Sequence, residues 1–324
     1  MRGGAGGRTR SSSSTLAFVL TAFAFGCDRP DASPASFAPV VASSFTLEDR
    51  VRHPVIDESE RTRPLQRIVS LSPTATEICC ALGLREALVG RTRFCEYPPE
   101  VASVPIIGTL LDVQAETLVQ LKPDLVLYSG TSRAQIDRIA PLKLRIESLP
   151  DRSLPDVFTS IRRVGELCGR PHTAAAVCET IERDIARSAD AVRITGTPRV
   201  LLTIETLGNP PRAPHVAGAG SFYDDLLKRA GCVNVVESTA SFAPLALETI
   251  AQLDPDVIIE IAADARTRPT GDPDALRAWE RLGPLKAVTS RRVRVLPGGE
   301  YFLPGPRVAF LFDRLCRAIA EGAP

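Results

Sequence analysis

Tryptophan and methionine each occur once in this chain of 324 residues, histidine three times and tyrosine four times. Three histidines leave few groups that titrate near neutrality, so acid–base catalysis has little to work with. Lys and Arg exceed Asp and Glu by only one. That excludes a general nucleic-acid surface, which needs a clustered cationic excess. No CxxC pair, mixed His/Cys spacing, nucleophile elbow or phosphate-cradling glycine loop is present, so nothing points to a zinc site or to the common hydrolase and NTPase chemistries. What is there is 44% hydrophobic and 24% charged, enough for a soluble body of two ordinary-sized domains.

The first 26 residues read as an export signal. Arg2, Arg8 and Arg10 make a basic start, and "TLAFVLTAFAFG" (15–26) is an apolar run of secretory length, too short to span a bilayer comfortably. Cys27 follows at once, after small residues, in the manner of a bacterial lipoprotein cleavage site where the thiol is lipidated. Removal of 1–26 takes the formal charge from +1 to −2, because three Arg and no acid are lost. Residues 27–64 are rich in Ala, Ser and Pro without helical or strand period, and read as a flexible tether.

The body writes one phrase twice: "ETLVQLKPDLVLY" from Glu116 and "ETIAQLDPDVIIE" from Glu248. The strand-like runs "RIVSL" from Arg67 and "RVLLTI" from Arg199 share the same spacing of 132 residues. Within each phrase an apolar helical stripe runs to a Pro, which stops it, and an apolar strand suited to burial in a parallel sheet follows. Asp124 and Asp256 are positioned to hold the turn into that strand. Closing strands are predicted at "KLRIESLP" (143–150) and "RRVRVLP" (291–297).

These patterns predict two Rossmann-like α/β lobes, 65–154 and 197–324, with connecting helices over 155–196. Thr173 to Val192 is predicted to form one helix of about 20 residues, on the order of 30 Å long. Lobes joined by one such rigid helix open and close little, and the cleft between them is the expected site.

The residues that carry a resemblance are "RIVSLSPTATEI", "EYPPE" (96–100), "ETLVQLKPDLVL", "GSFYDDLLKRAGCVNVV" and "PGPRVAFLFDRLCRAI". In that order and spacing the body resembles the cobalamin-binding periplasmic proteins of ABC importers, in the helical-backbone class that also binds siderophores and haem. The resemblance implies a binding protein rather than an enzyme. It implies a corrinoid ligand with no resident cofactor or metal, and delivery to a dimeric permease. A ferric siderophore or haem binder, or a ligand-sensing lipoprotein, is the alternative. It also implies that Glu116 and Glu248 dock the lobes on permease arginines; acids in a helix's first turn are otherwise worth only about 0.3–1 kcal/mol to the helix dipole.

Ligand contacts are expected from loops at the carboxyl ends of the strands. In the first lobe these are Ser72, Pro73, Thr74, Phe94, Tyr97, Gly108, Thr109, Tyr128 and Ser129. In the second they are Glu205, Phe242, Tyr301, Phe302 and Arg307. A corrinoid presents a large apolar face fringed by amides, which suits aromatics and a few hydrogen bonds. Phe94 and Phe242 fit core as well as cleft, and Arg307 fits a structural ion pair as well as a ligand. Family members often line the cleft with tryptophan, whereas Trp279 lies in a helical stretch and reads as packing. His215 is the one candidate axial ligand for a haem. The resemblance further implies a Cys232–Cys316 disulfide, with Cys168–Cys178 as a second, weaker pairing.

Overall fold

The computed structural model describes residues 51–52, 54–60, 67–109, 112–130, 133–205, 207, 211–262, 273–297 and 303–321. The expected signal segment, Cys27, and the contact candidates Tyr301 and Phe302 lie outside these residues.

The first lobe is built in the order β1 (Ile68–Ser70), α1 (Pro73–Ala81), β2 (Leu88–Arg91), α2 (Ala115–Gln120), β3 (Leu125–Ser129), α3 (Arg133–Ile139) and β4 (Ile146–Leu149). Its sheet has the order β2-β1-β3-β4 with every pairing parallel. β1 and β3 are buried along their whole length, as their unbroken apolar character requires. Two helices then connect the lobes: α4 (Leu154–Leu167), opened by a Ser153/Asp156 capping box, and α5 (Pro171–Ala191). α5 is the long helix expected from the sequence, begun by Pro171 at its first turn.

The second lobe follows as β5 (Arg199–Thr203), β6 (His215–Ala217), α6 (Phe222–Arg229), β7 (Val233–Asn234), β8 (Phe242–Pro244), α7 (Leu247–Leu253), β9 (Val257–Ala262), α8 (Pro273–Glu280), α9 (Lys286–Thr289), β10 (Val293–Pro297) and α10 (Val308–Ala320). Its sheet runs β10-β9-β5-β6-β8, with β7 also pairing β5. Here β6 and β8 are antiparallel additions with no counterpart among the described residues of the first lobe.

The sequence echo is a structural repeat. β1 pairs β3 as Ile68↔Leu125, and β5 pairs β9 as Val200↔Val257, so the register is conserved at the 132-residue offset. Asp124 Oδ2 accepts from the Arg67 backbone N–H at 2.8 Å, and Asp256 Oδ2 accepts from that of Arg199 at 2.9 Å. Just past each helix a residue at the same repeat position, Lys122 or Asp254, takes a left-handed conformation with φ of 45° or 42°.

One apolar core runs through both lobes and the connecting helices, including Ile78, Phe158, Ile181, Phe222 and Phe312. Each sheet has a second core of its own, around Val126 and Ile139 in one lobe and around Ile258 and Trp279 in the other. Trp279 is fully buried, and its indole N–H donates to Glu260 at 2.9 Å. It is packing, as its helical setting indicated.

Two expectations need correction. Residues 51–52 and 54–60, assigned to the tether by composition, pack on the body. Val51 and Glu60 are buried, and the Glu60 carboxylate accepts from the backbone of His172 at 2.8 Å and from Thr173 Oγ1 at 2.7 Å. Burial alone would raise the Glu60 pKa, but these bonds at the start of α5 outweigh it and hold the carboxyl below its ordinary value. Composition missed this because the few residues that anchor the segment are scattered through polar sequence. The second correction concerns the disulfides. Cys232 and Cys316, like Cys168 and Cys178, are free, buried thiols. Burial pushes Cys316 up to about 12, with neighbouring Cys232 adding to it, so the two lie near one another but unbridged in the apolar core.

Candidate functional site

In a parallel sheet the connecting helix runs back against the strands, so it begins beside the sheet's carboxyl edge. α2 precedes β3 and α7 precedes β9, which puts Glu116 and Glu248, both exposed first-turn residues, at that edge of each lobe. Of the expected contact residues, Ser72, Pro73 and Thr74 follow β1 and Ser129 ends β3 in the first lobe, and Glu205 follows β5 in the second.

In the first lobe Ser72 caps α1 through its hydroxyl, which accepts from the Ala75 N–H at 3.2 Å. The same hydroxyl receives the Ser129 O–H at 2.9 Å, so the ends of the neighbouring strands β1 and β3 are tied together. Ser70 Oγ donates to the Ser72 carbonyl at 2.9 Å and is itself bonded by Thr76 Oγ1 at 2.8 Å. Ser72, Thr74 and Ser129 are buried, and Pro73 is half-buried. Gly108 has φ 126°, and a Cβ there would stand 2.1 Å from the Asp112 carbonyl, so only glycine closes this turn beside Thr109. Phe94 is 37% exposed on the surface, with Arg93 over its ring at 5.5 Å. Tyr128 is buried within the sheet's own core.

In the second lobe Thr203 Oγ1 donates to the Glu205 carbonyl at 2.7 Å, repeating the Ser70 bond of the first. The exposed Glu205 carboxylate then takes both the backbone N–H of His215 at 2.8 Å and its Nδ1 at 2.7 Å. Phe242 is 39% exposed and meets the buried Tyr223 edge-on at 6.0 Å.

Arg307 is the largest departure from the expected contact set. It is 2% exposed, and its Nε donates to Glu77 Oε2 at 2.9 Å, with Nη2 on Oε1 in the same fork. Its guanidinium also lies 3.7 Å from the centre of the Tyr97 ring. Arg307 and Tyr97 therefore form a buried clasp between the lobes, with Glu77 of α1 on one side and the start of α10 on the other. The Asp225 carboxylate of α6 adds a second link by accepting from the Leu154 N–H at 2.8 Å.

Glu77, Glu260, Asp151 and the Glu205–His215 pairing were not read from the sequence as a working set. Glu77 and Glu260 carry a signal that could have found them, since each is the only charge in an apolar element, "PTATEICCA" and "VIIEIA". Among the described residues no group of three or more His, Cys, Asp or Glu side chains is placed to hold a metal ion. A cavity of about 410 Å³ beside Pro198, Asp256 and Arg292 lies at the amino edge of the second sheet, away from all these residues.

The fold, two α/β lobes joined by one long helix, is that of a two-lobed binding protein. The chain belongs to the periplasmic binding protein family, whose model matches residues 68–299. It is 29% identical over 254 residues to an uncharacterized ABC transporter substrate-binding lipoprotein of Bacillus subtilis, covering 75% of this chain and 77% of that protein. It is 30% identical over 207 residues to a cobalamin-binding protein of Halobacterium salinarum, covering 61% of this chain and 55% of that one. The periplasmic heme-binding protein RhuT from Roseiflexus sp. RS-1, in apo form, superposes with a TM-score of 0.67 at 28% identity, over 81% of this chain and 100% of that chain.

Proposed function

We propose that this protein is the substrate-binding component of an ABC importer, capturing cobalamin or a related corrinoid between its lobes and handing it to a dimeric permease. The observation that carries the reading is the pairing of two features on one edge of each lobe. Buried hydroxyls and partly exposed aromatics are present to receive an amide-fringed macrocycle. A matched acid, Glu116 or Glu248, stands at the head of a helix beside them. The similarity to a cobalamin-binding protein supports the ligand class. Export, lipidation at Cys27 and a flexible tether after it belong to the same proposal, supported by the basic-apolar start and by the lipoprotein relative.

Haem is the second reading. The hydrogen bond from His215 to Glu205 fixes the imidazole in the way that orients a metal-binding histidine, and several structural neighbours are named for heme. Calorimetric titration of the purified protein with cyanocobalamin, dicyanocobinamide, hemin and a ferric siderophore decides between them. Micromolar or tighter binding of the corrinoids alone is expected, and the absence of corrinoid binding would sink the proposal.

A further inference from the structure

β1, β3 and β4 lie side by side and parallel, so their carboxyl ends set Ser72, Ser129 and Asp151 along one edge. The Ser129 hydroxyl is spent on the Ser72 hydroxyl, to which it donates. Asp151 is half-buried, and no hydrogen bond or ion pair reaches its carboxylate among the described residues. Its Oδ2 lies over the end of β3, 3.7 Å from where a Cβ on Gly130 would stand. Burial pushes its carboxyl up to about 6; the charge of Asp156 adds to this and that of Arg152 opposes it. An acid desolvated without a partner weakens folding, and such costs gather where a protein binds something.

We infer that Asp151 is a ligand-selecting residue of the cleft, accepting hydrogen bonds from amide N–H groups and disfavouring ligands fringed with carboxylates. The inference rests on the proposed corrinoid function. The amide fringe of a corrinoid supplies the donors that Asp151 lacks within the protein. The propionates of haem would bring like charge against it, so one side chain both attracts one macrocycle and repels the other.

The test compares wild type, Asp151→Asn and Asp151→Ala for binding of cyanocobalamin, dicyanocobinamide and hemin at pH 7.5. Asp151→Ala is expected to weaken both corrinoids about tenfold, the loss of one hydrogen bond to a charged group, and to tighten hemin. Corrinoid affinity unchanged by Asp151→Ala overturns the inference while leaving the proposed function standing. A wild type that binds no corrinoid overturns both.

Melting temperature separates this role from a structural one. A carboxyl whose folded pKa is raised penalises the folded state once it ionises, and the penalty grows as pH rises from 3.8 through about 6. Asp151→Asn should therefore melt above wild type at pH 7.5 and with it near pH 3.5. A variant that melts below wild type at pH 7.5 would make Asp151 part of the fold and overturn the inference.

Discussion

At the amino edges of their sheets the two lobes are copies of one another, and at the carboxyl edges they differ. The copies extend to atoms: the left-handed residues Lys122 and Asp254, the carboxylates of Asp124 and Asp256 on the backbone of Arg67 and Arg199, and the identical strand register. At the other edge the first lobe ends in a serine pair and an acid without a partner among the described residues, and the second in a Glu–His pair on an added antiparallel strand. The buried position occupied by Tyr128 in the first lobe holds Glu260 in the second, where the carboxylate accepts from the Leu207 N–H at 2.9 Å and so pins the chain just past Glu205. Folding requirements preserve a repeat, because both lobes must end a helix and enter a parallel strand. Under the proposed function, a ligand without two-fold symmetry would remove that pressure at the carboxyl edges.

Glu116 and Glu248 break this rule, since they are alike on the side where the lobes otherwise differ. Both are exposed, and neither is needed to cap its helix through a side-chain bond. The proposed docking on a two-fold permease would account for the likeness. Reversing both, Glu116→Lys with Glu248→Lys, should abolish transport in cells while calorimetry finds ligand affinity unchanged. Each single reversal should give a similar partial loss. A loss of affinity, or a loss confined to one lobe, would count against symmetric docking.

The clasp between the lobes sets the next effect in size. Removing one member of a buried ion pair leaves the other charge without compensation, which costs about 3–5 kcal/mol. Arg307→Met should lower unfolding stability in urea by that amount, and adding Glu77→Leu should recover most of it. A small loss for Arg307→Met alone would mean that water enters between the lobes and the clasp is not dry.

Much of the scaffold was legible because periodicity and proline stops are local signals. The 132-residue echo, the long helix α5, the buried Trp279 and the turn role of Asp124 and Asp256 all follow from residues near one another in sequence. The clasp was not legible, because Glu77 and Arg307 are 230 positions apart and nothing local distinguishes a ligand-binding arginine from a paired one. The docking of residues 54–60 was hidden for a similar reason: Glu60 finds its donors 112 and 113 positions away. The antiparallel strands β6 and β8 are three residues each, too short for a period to declare them. Asp151 precedes a helix start, where an acid reads as a cap; that role belongs instead to Ser153 and Asp156.

The smallest effects test the repeat itself. Asp124 and Asp256 make the same bond at nearly the same length, but Asp124 is exposed and Asp256 half-buried. In Asp124→Ala water can replace the lost acceptor of the Arg67 N–H, so the cost should be about 0.5–1 kcal/mol. Asp256→Ala leaves the Arg199 N–H less accessible to water and should cost about 1–2 kcal/mol. The two sites share no partner, so the double variant should lose the sum within about 0.5 kcal/mol. Equal costs would show that geometry alone sets the strength of this turn. A cost that is larger at the exposed site would mean that the conserved carboxylates do different work in the two lobes, and that the likeness of the amino edges stops at the backbone.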